Sequence, residues 1–121
     1  MKLITPELLE RFKEVGNQDE VENPIFIAKF FNPCGSQTWY ASEYDPETKI
    51  AYGYVTGMYV DEWGTFSVTE LEAVKTPPFG LPIERDIHFD EITFKELISK
   101  QRFQDLNTQE KDKTQDQDIE L

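Results

Sequence analysis

Four side chains that could bind a metal ion or move a proton recur at every second position of the segment ERDIHFD: Glu84, Asp86, His88 and Asp90. On a β-strand this spacing places all four on one face. Carboxylates beside an imidazole could hold a metal ion or act as general acid and base. Such a site needs further ligands from distant segments, and His88 is the only histidine. The competing interpretation is a half-exposed strand whose acidic residues solvate one face. A further option is that Arg85 pairs with Glu84 or Asp86 and fixes the loop after Pro82.

The single cysteine, Cys34, is the second candidate for chemistry. A nucleophilic cysteine needs a base and a lowered pKa, and His88 is the only imidazole that could serve. The surrounding FNPCGSQT pattern favours a tight turn, with Gly35 at a positive φ angle. The backbone amides of residues 35–37 could hold an anion, but no helix or lysine follows as in a phosphate-binding loop.

Helices are expected at both ends and in the middle of the chain. Thr5-Pro6-Glu7 is typical of a helix start, and Gly16 of its end. Ser67-Val68-Thr69-Glu70 and Thr93-Phe94-Lys95-Glu96 each fit a capping box, the second opening a helix through about Lys100. From about residue 103 the chain has almost no aliphatic side chains, which predicts a disordered tail.

Between the first two helices, apolar and aromatic runs separated by turn residues predict an antiparallel meander. The predicted strands are IFIAKFF, QTWYASEY and IAYGYVTG, with MYV and GTFSV as one or two more and ERDIHF as a late strand. Gly53 marks a bulge or a close approach of two backbones. The segment KTPPFGLP contains three prolines and is expected to be irregular.

The chain has 121 residues and a net charge of -12, and the excess of acidic residues is spread along its length. A net-acidic surface disfavours direct binding to nucleic acid and to anionic membranes, and favours basic protein partners. A single cysteine and the lack of an apolar run at the N-terminus predict a cytosolic protein. Several acidic residues flank predicted turns, which we expect at one end of the sheet: Glu43, Asp45, Glu47, Asp61 and Glu62.

Aromatic side chains are dense along the predicted meander, and alternation must send some of them to each face. The set consists of Trp39, Tyr40, Tyr44, Tyr52, Tyr54, Tyr59 and Trp63. Most of these rings are expected to pack in the core and across strands. Any that form an exposed patch within an acidic rim would instead make a protein-binding surface.

Three blocks of the chain are distinctive: KFFNPCGSQTWYASEYD, YGYVTG with WGTFSVTELEAV, and FGLPIERDIHF. Through these blocks the chain resembles a small bacterial family known as domain of unknown function 2958. The resemblance covers roughly residues 1 to 100 and implies a bacterial, phage or plasmid origin, with relatives on mobile elements. It implies no established activity, cofactor or catalytic residue. It places Pro82, Glu84, Arg85 and Asp86 in the family signature, for function or for fold.

The sequence therefore predicts one α+β domain over residues 1–102, followed by a disordered acidic tail over residues 103–121. The domain is expected to hold an antiparallel sheet of four or five strands with short flanking helices.

For function, we expect a non-enzymatic binding protein of a mobile element, whose acidic surface engages a basic or nucleic-acid-handling protein. In a sharper form it mimics DNA at the site of a defence or replication protein. The side chains expected to carry binding are Trp39, Tyr40, Trp63, Glu84, Arg85, Asp86 and His88. The alternative is a small hydrolase or metal-dependent enzyme that uses Glu84, Asp86 and His88. No cofactor or resident metal is expected, and the oligomeric state stays open.

Overall fold

A computed structural model of the chain describes residues 2–120, with side chains for residues 2–107. Within this part the chain forms three helices and seven strands. The helices are α1 (Pro6–Val15), α2 (Val68–Ala73) and α3 (Phe94–Glu120). They begin where the sequence predicts them, at the N-terminus, after the meander and near the C-terminal end.

Each helix begins at the predicted capping residue. The Thr5 hydroxyl accepts a hydrogen bond from the Leu8 backbone N–H, and the Ser67 hydroxyl accepts one from Glu70. At α3 the box is reciprocal, because Thr93 Oγ1 accepts from the Glu96 N–H while Glu96 Oε1 accepts from the Thr93 N–H. These bonds satisfy backbone donors that have no partner within the first turn of a helix.

Five strands form an antiparallel sheet in the order β5-β4-β3-β2-β6, and two more form a separate pair, β1-β7. The strands are β1 (Ile25–Phe26), β2 (Ala28–Phe31), β3 (Thr38–Asp45), β4 (Ile50–Thr56), β5 (Glu62–Ser67), β6 (Glu84–Arg85) and β7 (Ile92–Thr93). Strands β2 to β5 form the predicted meander. The α+β class is confirmed.

The predicted strand IFIAKFF is divided into two at Ile27. Residues of β1 pair with β7, whereas residues of β2 pair with β3. Phe26 and Ile27 are adjacent and both buried, but they enter different hydrophobic clusters. The apolar run therefore contributes to two sheets, and its composition gives no sign of the division because apolar residues continue without a break across Ile27.

The predicted strand MYV is a loop, and β5 begins earlier than predicted, at Glu62. Gly57 has a φ angle of 84°, and a Cβ atom there would overlap the carbonyl oxygen of Ser36. The Ser36 hydroxyl donates to the Gly57 carbonyl (2.8 Å), and the Asp61 carboxylate accepts from the Gly57 N–H (3.2 Å). These bonds hold the loop of residues 57–61 against the turn between β2 and β3.

The two faces of the sheet are buried by different elements. On one face, Phe30 and Trp39 belong to a core cluster with Phe12 of α1 and Leu71 of α2. On the other face, a smaller cluster of Phe26, Tyr40 and Leu97 is joined by partly buried rings from β5 and α3. The sheet is thus the middle layer between two hydrophobic clusters.

Gln18, in the connector that the sequence marks only as polar, is buried and joins β1 to β3. Its side-chain amide donates to the carbonyls of Ile25 (3.0 Å) and Ser42 (2.8 Å), and its Oε1 accepts from the Ile25 N–H (2.8 Å). The register of β3 with β4 shifts between Ala41 and Glu43, so Ser42 lies in a bulge. Gln18 therefore donates to the Ser42 carbonyl, which the bulge leaves outside the regular β3–β4 ladder.

Gly53 lies where two backbones approach closely, as predicted. It pairs with Ala41 of β3 on one side and Gly64 of β5 on the other. A Cβ atom at Gly53 would overlap the carbonyl oxygen of Tyr40. No side chain fits at this position without movement of β3.

Helix α3 continues past Lys100, where the sequence predicts its end. Residues 102–107 are exposed, including Phe103 and Leu106. The predicted disorder of residues 103–121 falls largely outside the described side chains and stays a prediction. No helix among the described residues is long and apolar enough to cross a membrane.

Candidate functional site

The segment ERDIHF forms only two residues of strand, β6, and this corrects the predicted long strand. Glu84 pairs with Phe31 and Arg85 with Phe30. The Arg85 guanidinium donates to the carbonyl of Lys2 (3.1 Å), so it fastens the N-terminal segment to the edge of the sheet. Arg85 is not paired with Glu84 or Asp86 as the sequence suggested.

Asp86 closes a local turn rather than a site shared with His88. One carboxylate oxygen accepts from the His88 backbone N–H (2.9 Å), and the other lies 3.5 Å from Lys29 Nζ. His88 is exposed in this turn, so it does not share one face of a strand with Glu84, Asp86 and Asp90 as predicted. Among the described side chains, no three histidine, cysteine or acidic residues could together hold a metal ion.

Cys34 and His88 lie beyond opposite ends of β2. Cys34 is in the turn that follows Phe31, whereas the chain after β6 runs antiparallel to β2, away from that turn. The turn itself is closed by the Asn32 carboxamide, whose oxygen accepts from the Cys34 N–H (2.8 Å). Gly35 does not have the predicted positive φ angle. This topology separates the predicted thiol–imidazole pair.

The predicted binding rings are divided between the two faces of the sheet. Trp39 is buried in the cluster beneath α1 and α2. Tyr40 and Trp63 lie on the opposite face, where both contact Phe26, at centroid distances of 5.6 and 5.4 Å. Trp63 also contacts Phe94 of α3 at 5.1 Å. Trp39 and Tyr40 are buried, as the sequence predicted for most of the set, and Trp63 is partly buried.

One row of side chains crosses the second face from β6 to β5. It consists of Asp86, Lys29, Tyr40, Tyr54 and Trp63. Lys29 lies over the Tyr40 ring with Nζ 5.8 Å from its centroid. Burial, together with the negative charges of Asp86 and Asp61, raises the pKa of Tyr40. The charge of Asp86 thus acts on Tyr40, as the shared row of side chains allows. The Tyr40 ring itself is buried.

The acidic turns lie at opposite ends of the sheet, not at one end as predicted. Asp45 and Glu47 flank the β3–β4 turn, and Asp61 and Glu62 flank the β4–β5 turn. Successive turns of an antiparallel meander alternate between its ends. The carboxylates therefore form separate acidic regions.

An open groove, which we call the β5 groove, lies along β5 between α2 and the 57–61 loop. It has a volume of about 660 Å³ and is lined by Trp39, Val55, Met58, Tyr59, Val60, Glu62, Trp63, Gly64, Thr65, Phe66, Ser67, Glu70, Leu71 and Val74. Met58, Tyr59 and Val60 are each more than half exposed, and Tyr59 is fully exposed. Three consecutive exposed apolar side chains at a groove are typical of an interaction surface.

The charged side chains that line the β5 groove are the carboxylates Glu62 and Glu70; no Lys, Arg or His is part of the described lining. Asp61 precedes Glu62 in the chain, and burial together with the negative charge of Asp61 raises the pKa of Tyr54. A groove with apolar walls and a negative rim favours a partner that is apolar and basic.

The β5 groove could not be located from the sequence. The sequence predicts a strand at MYV, which contains the apolar side chains Met58 and Val60, and another at GTFSV, which contains Gly64. Only Gly57 gave a signal, since a glycine before MYV is typical of a turn. Trp39 and Trp63 are the predicted binding residues that line the groove, whereas Tyr40, Glu84, Arg85, Asp86 and His88 lie outside its lining.

A second groove, about 530 Å³ in volume, lies between α1 and the β3–β4 turn and contains Glu43. Partial burial, reinforced by the negative charge of Asp19, raises the pKa of Glu43, although the Gln18 N–H donates to it. Lys13 and Asp45 also line this groove, so its charge is mixed. The site therefore lacks the one-signed rim of the β5 groove.

We expect Glu43→Gln to raise the melting temperature at neutral pH. The folded state binds the Glu43 proton more tightly than the unfolded state, so this residue lowers stability as pH rises between the two pKa values. The gain should therefore vanish in acid, below the unfolded pKa of about 4.3. Thermal unfolding across pH measures it, with exposed Glu47→Gln as the control for loss of one charge. An equal rise in both variants would contradict the prediction.

The comparisons with known proteins bear on family and not on activity. No curated protein and no solved structure gives a significant match to the chain. A family model described as a protein of unknown function, DUF2958, matches residues 3–100. The match spans α1, the whole of both sheets and the start of α3, and it includes every predicted site residue. The chain belongs to the DUF2958 family.

Proposed function

We propose that this chain is a non-enzymatic, cytosolic binding protein that engages a basic protein partner through the β5 groove. The observation that carries the proposal is the exposure of Met58, Tyr59 and Val60 beside carboxylates that no described cationic lining residue balances. Burying three such side chains on a partner would supply a hydrophobic contribution. The carboxylates would select a partner with Lys or Arg at the contact.

The overall charge supports the same kind of partner. A net charge of -12 attracts cationic surfaces from a distance and repels nucleic acid and other acidic proteins. The single free thiol of Cys34 is consistent with a reducing compartment. The family resemblance adds a mobile-element setting to the proposal.

The sharper form, in which the chain mimics DNA at a defence or replication protein, requires carboxylates arrayed along one face. Acidic residues at both ends of the sheet support this form less than they support a local acidic contact. Competition separates the two forms. A mimic would be displaced from its partner by duplex DNA, whereas a partner held at the β5 groove through another surface would keep its DNA bound.

The enzymatic alternative receives no support from a specific arrangement of side chains. Asp86 is occupied by Lys29 and the His88 backbone, and neither groove described above contains Glu84, Asp86 or His88. We therefore carry the binding function forward alone.

Affinity capture from a bacterial lysate tests the proposal, with the tagged chain at low and high salt. We expect a basic protein to be retained at low salt and released at high salt, because a contact between exposed charges is screened. Tyr59→Ser should abolish retention, since the ring is fully exposed and its removal leaves the fold intact. Ile87→Ser is the matched control, an exposed apolar residue beyond the opposite edge strand, β6. Equal retention by the two variants would overturn the assignment to this surface.

A further inference from the structure

We propose that the partner contributes an extended segment, with an apolar residue and a Lys or Arg two positions apart, which pairs with β5 as an added strand of the sheet. This inference rests on the proposed function and specifies how the partner is held. Its basis is the coincidence of an open strand edge, an apolar groove beside that edge and carboxylates around both.

The free edge of β5 presents unpaired backbone groups. In the described sheet β5 has one neighbour, β4. The Val68 N–H donates to the Lys49 carbonyl (3.0 Å), which fixes the alternation of the β4–β5 ladder. Glu62, Gly64 and Phe66 therefore direct their backbone groups towards β4.

Trp63 and Thr65 consequently direct their N–H and C=O groups outwards. The opposite side of β4 agrees with this alternation, because the carbonyl of Tyr52, the partner of Thr65, accepts from the Ser42 hydroxyl of β3 (3.0 Å). An extended peptide can bond to such outward groups as a further strand, and the main-chain bonds then hold it in register.

The edge lacks the features that usually prevent pairing with another chain. Natural edge strands are protected by short length, proline, lysine or an inward-pointing charge. The opposite edge, β6, is two residues long and is fastened to Lys2 by Arg85. By contrast, β5 has six residues, no proline and no lysine, and its one charged side chain is Glu62.

Gly64 makes room for a side chain of the added strand. Nothing lies within 4 Å of the position that a Cβ atom would take at Gly64. An apolar side chain opposite Gly64 could enter the groove towards Val55 and Leu71. Two positions further along, on the same face, a Lys or Arg would meet Glu62. The partner segment is therefore expected to carry an apolar residue and, two positions away on the same face, a Lys or Arg.

The charge of the chain argues against two other occupants. A second copy pairing edge to edge would bring together two chains of charge -12. The chain's own residues after 107 are acidic overall and contain few apolar side chains, so they lack both features that the groove complements.

A display library of random linear peptides, panned against the full chain, tests the inference. Enriched peptides are resynthesised with a fluorophore, and their affinities are measured by fluorescence polarisation. We expect sequences in which an apolar residue and a Lys or Arg are two positions apart. Thr65→Pro removes one outward N–H and leaves the β4 ladder intact, so it should weaken binding about tenfold, as expected for the loss of one or more hydrogen bonds. Thr65→Ala keeps the N–H and should bind as the unaltered chain does.

A second variant keeps the test decisive if Thr65→Pro unfolds. Gly64→Leu fills the open space and should also weaken peptide binding at least tenfold, because it excludes the partner side chain. Absence of enriched peptides, enrichment of acidic sequences, or unchanged affinity in a folded variant would overturn strand addition. So would a dimer in sedimentation that Thr65→Pro converts to a monomer.

The outcomes also separate this inference from the proposed function. If the lysate partner is lost with Tyr59→Ser but retained by folded Thr65→Pro and Gly64→Leu, the protein-binding function stands and strand addition fails. If Tyr59→Ser retains the partner as fully as Ile87→Ser, the proposed surface itself is wrong.

Discussion

Gly53→Ala is expected to destabilise the domain by about 3 kcal/mol or more, one of the two largest effects that we predict. The added Cβ atom would overlap the backbone carbonyl of Tyr40, which cannot rotate away as a side chain can. Strands β3 and β4 would have to separate next to the bulge at Ser42, where their ladder is already irregular. Thermal unfolding should show a loss on the order of 15 °C for a domain of this size.

Gly64→Ala is the matched control, because Gly64 is the β5 partner of Gly53 and shares its face of the sheet. No atom lies within 4 Å of the new Cβ position at Gly64. We expect this variant to unfold within a few degrees of the unaltered chain. Equal losses at the two positions would show that glycine's conformational freedom, rather than the approach of β3, explains Gly53.

Gln18→Leu is the second large effect, and we expect it to cost about 3 kcal/mol or more. Leucine keeps the approximate size of the side chain but leaves the Ile25 N–H and the carbonyls of Ile25 and Ser42 without their partner. Each buried polar group left unsatisfied costs about 1–3 kcal/mol. Denaturant unfolding measures the loss as a lower midpoint.

The same substitution at Gln37 provides the comparison. Gln37 Oε1 accepts a single side-chain bond from Asn32 (2.8 Å), at a site that is only partly buried. Gln37→Leu should therefore cost about 1 kcal/mol, as expected for one hydrogen bond. If Gln18→Leu lost no more stability than Gln37→Leu, water would have to replace the hydrogen bonds of the missing amide.

Local sequence patterns predicted the helix starts because their causes are local. The Thr5, Ser67 and Thr93 caps bond to residues three positions away, and a pattern of that length is visible in the sequence. The meander was predictable for a similar reason, since its turns join strands that are neighbours in the chain.

Features that depend on distant partners could not be predicted. The division at Ile27 depends on β7, which arrives more than sixty residues later, and Gln18 is buried by Ser42, in a bulge without a composition of its own. The two-residue length of β6 follows from the Asp86 turn and its contact with Lys29. Alternation could have separated Trp39 from Tyr40, but it could not say which face α3 would cover.

For the candidate site, the sequence predicts the charge of the proposed partner but not the place of contact. The acidic excess is a property of composition, so the proposal of a basic partner needs no structure. The groove depends on the bonds that hold Gly57 to Ser36 and leave Tyr59 exposed. No pattern in MYV distinguishes an exposed loop from a short strand.

The fastening of the N-terminal segment has a consequence for folding during synthesis. Leu3 is completely buried, and its N–H donates to the Glu72 carboxylate (3.0 Å). The Lys2 carbonyl accepts from the Arg85 guanidinium (3.1 Å). The N-terminal segment therefore finds its partners only after most of the domain has been translated. Until β7 emerges, β1 has no strand with which to form its two-stranded sheet, and nascent chains are exposed to aggregation in such intervals. A ribosome that pauses before residue 93 would carry a meander whose second face is not yet covered by α3. Chaperones would bind this exposed apolar face.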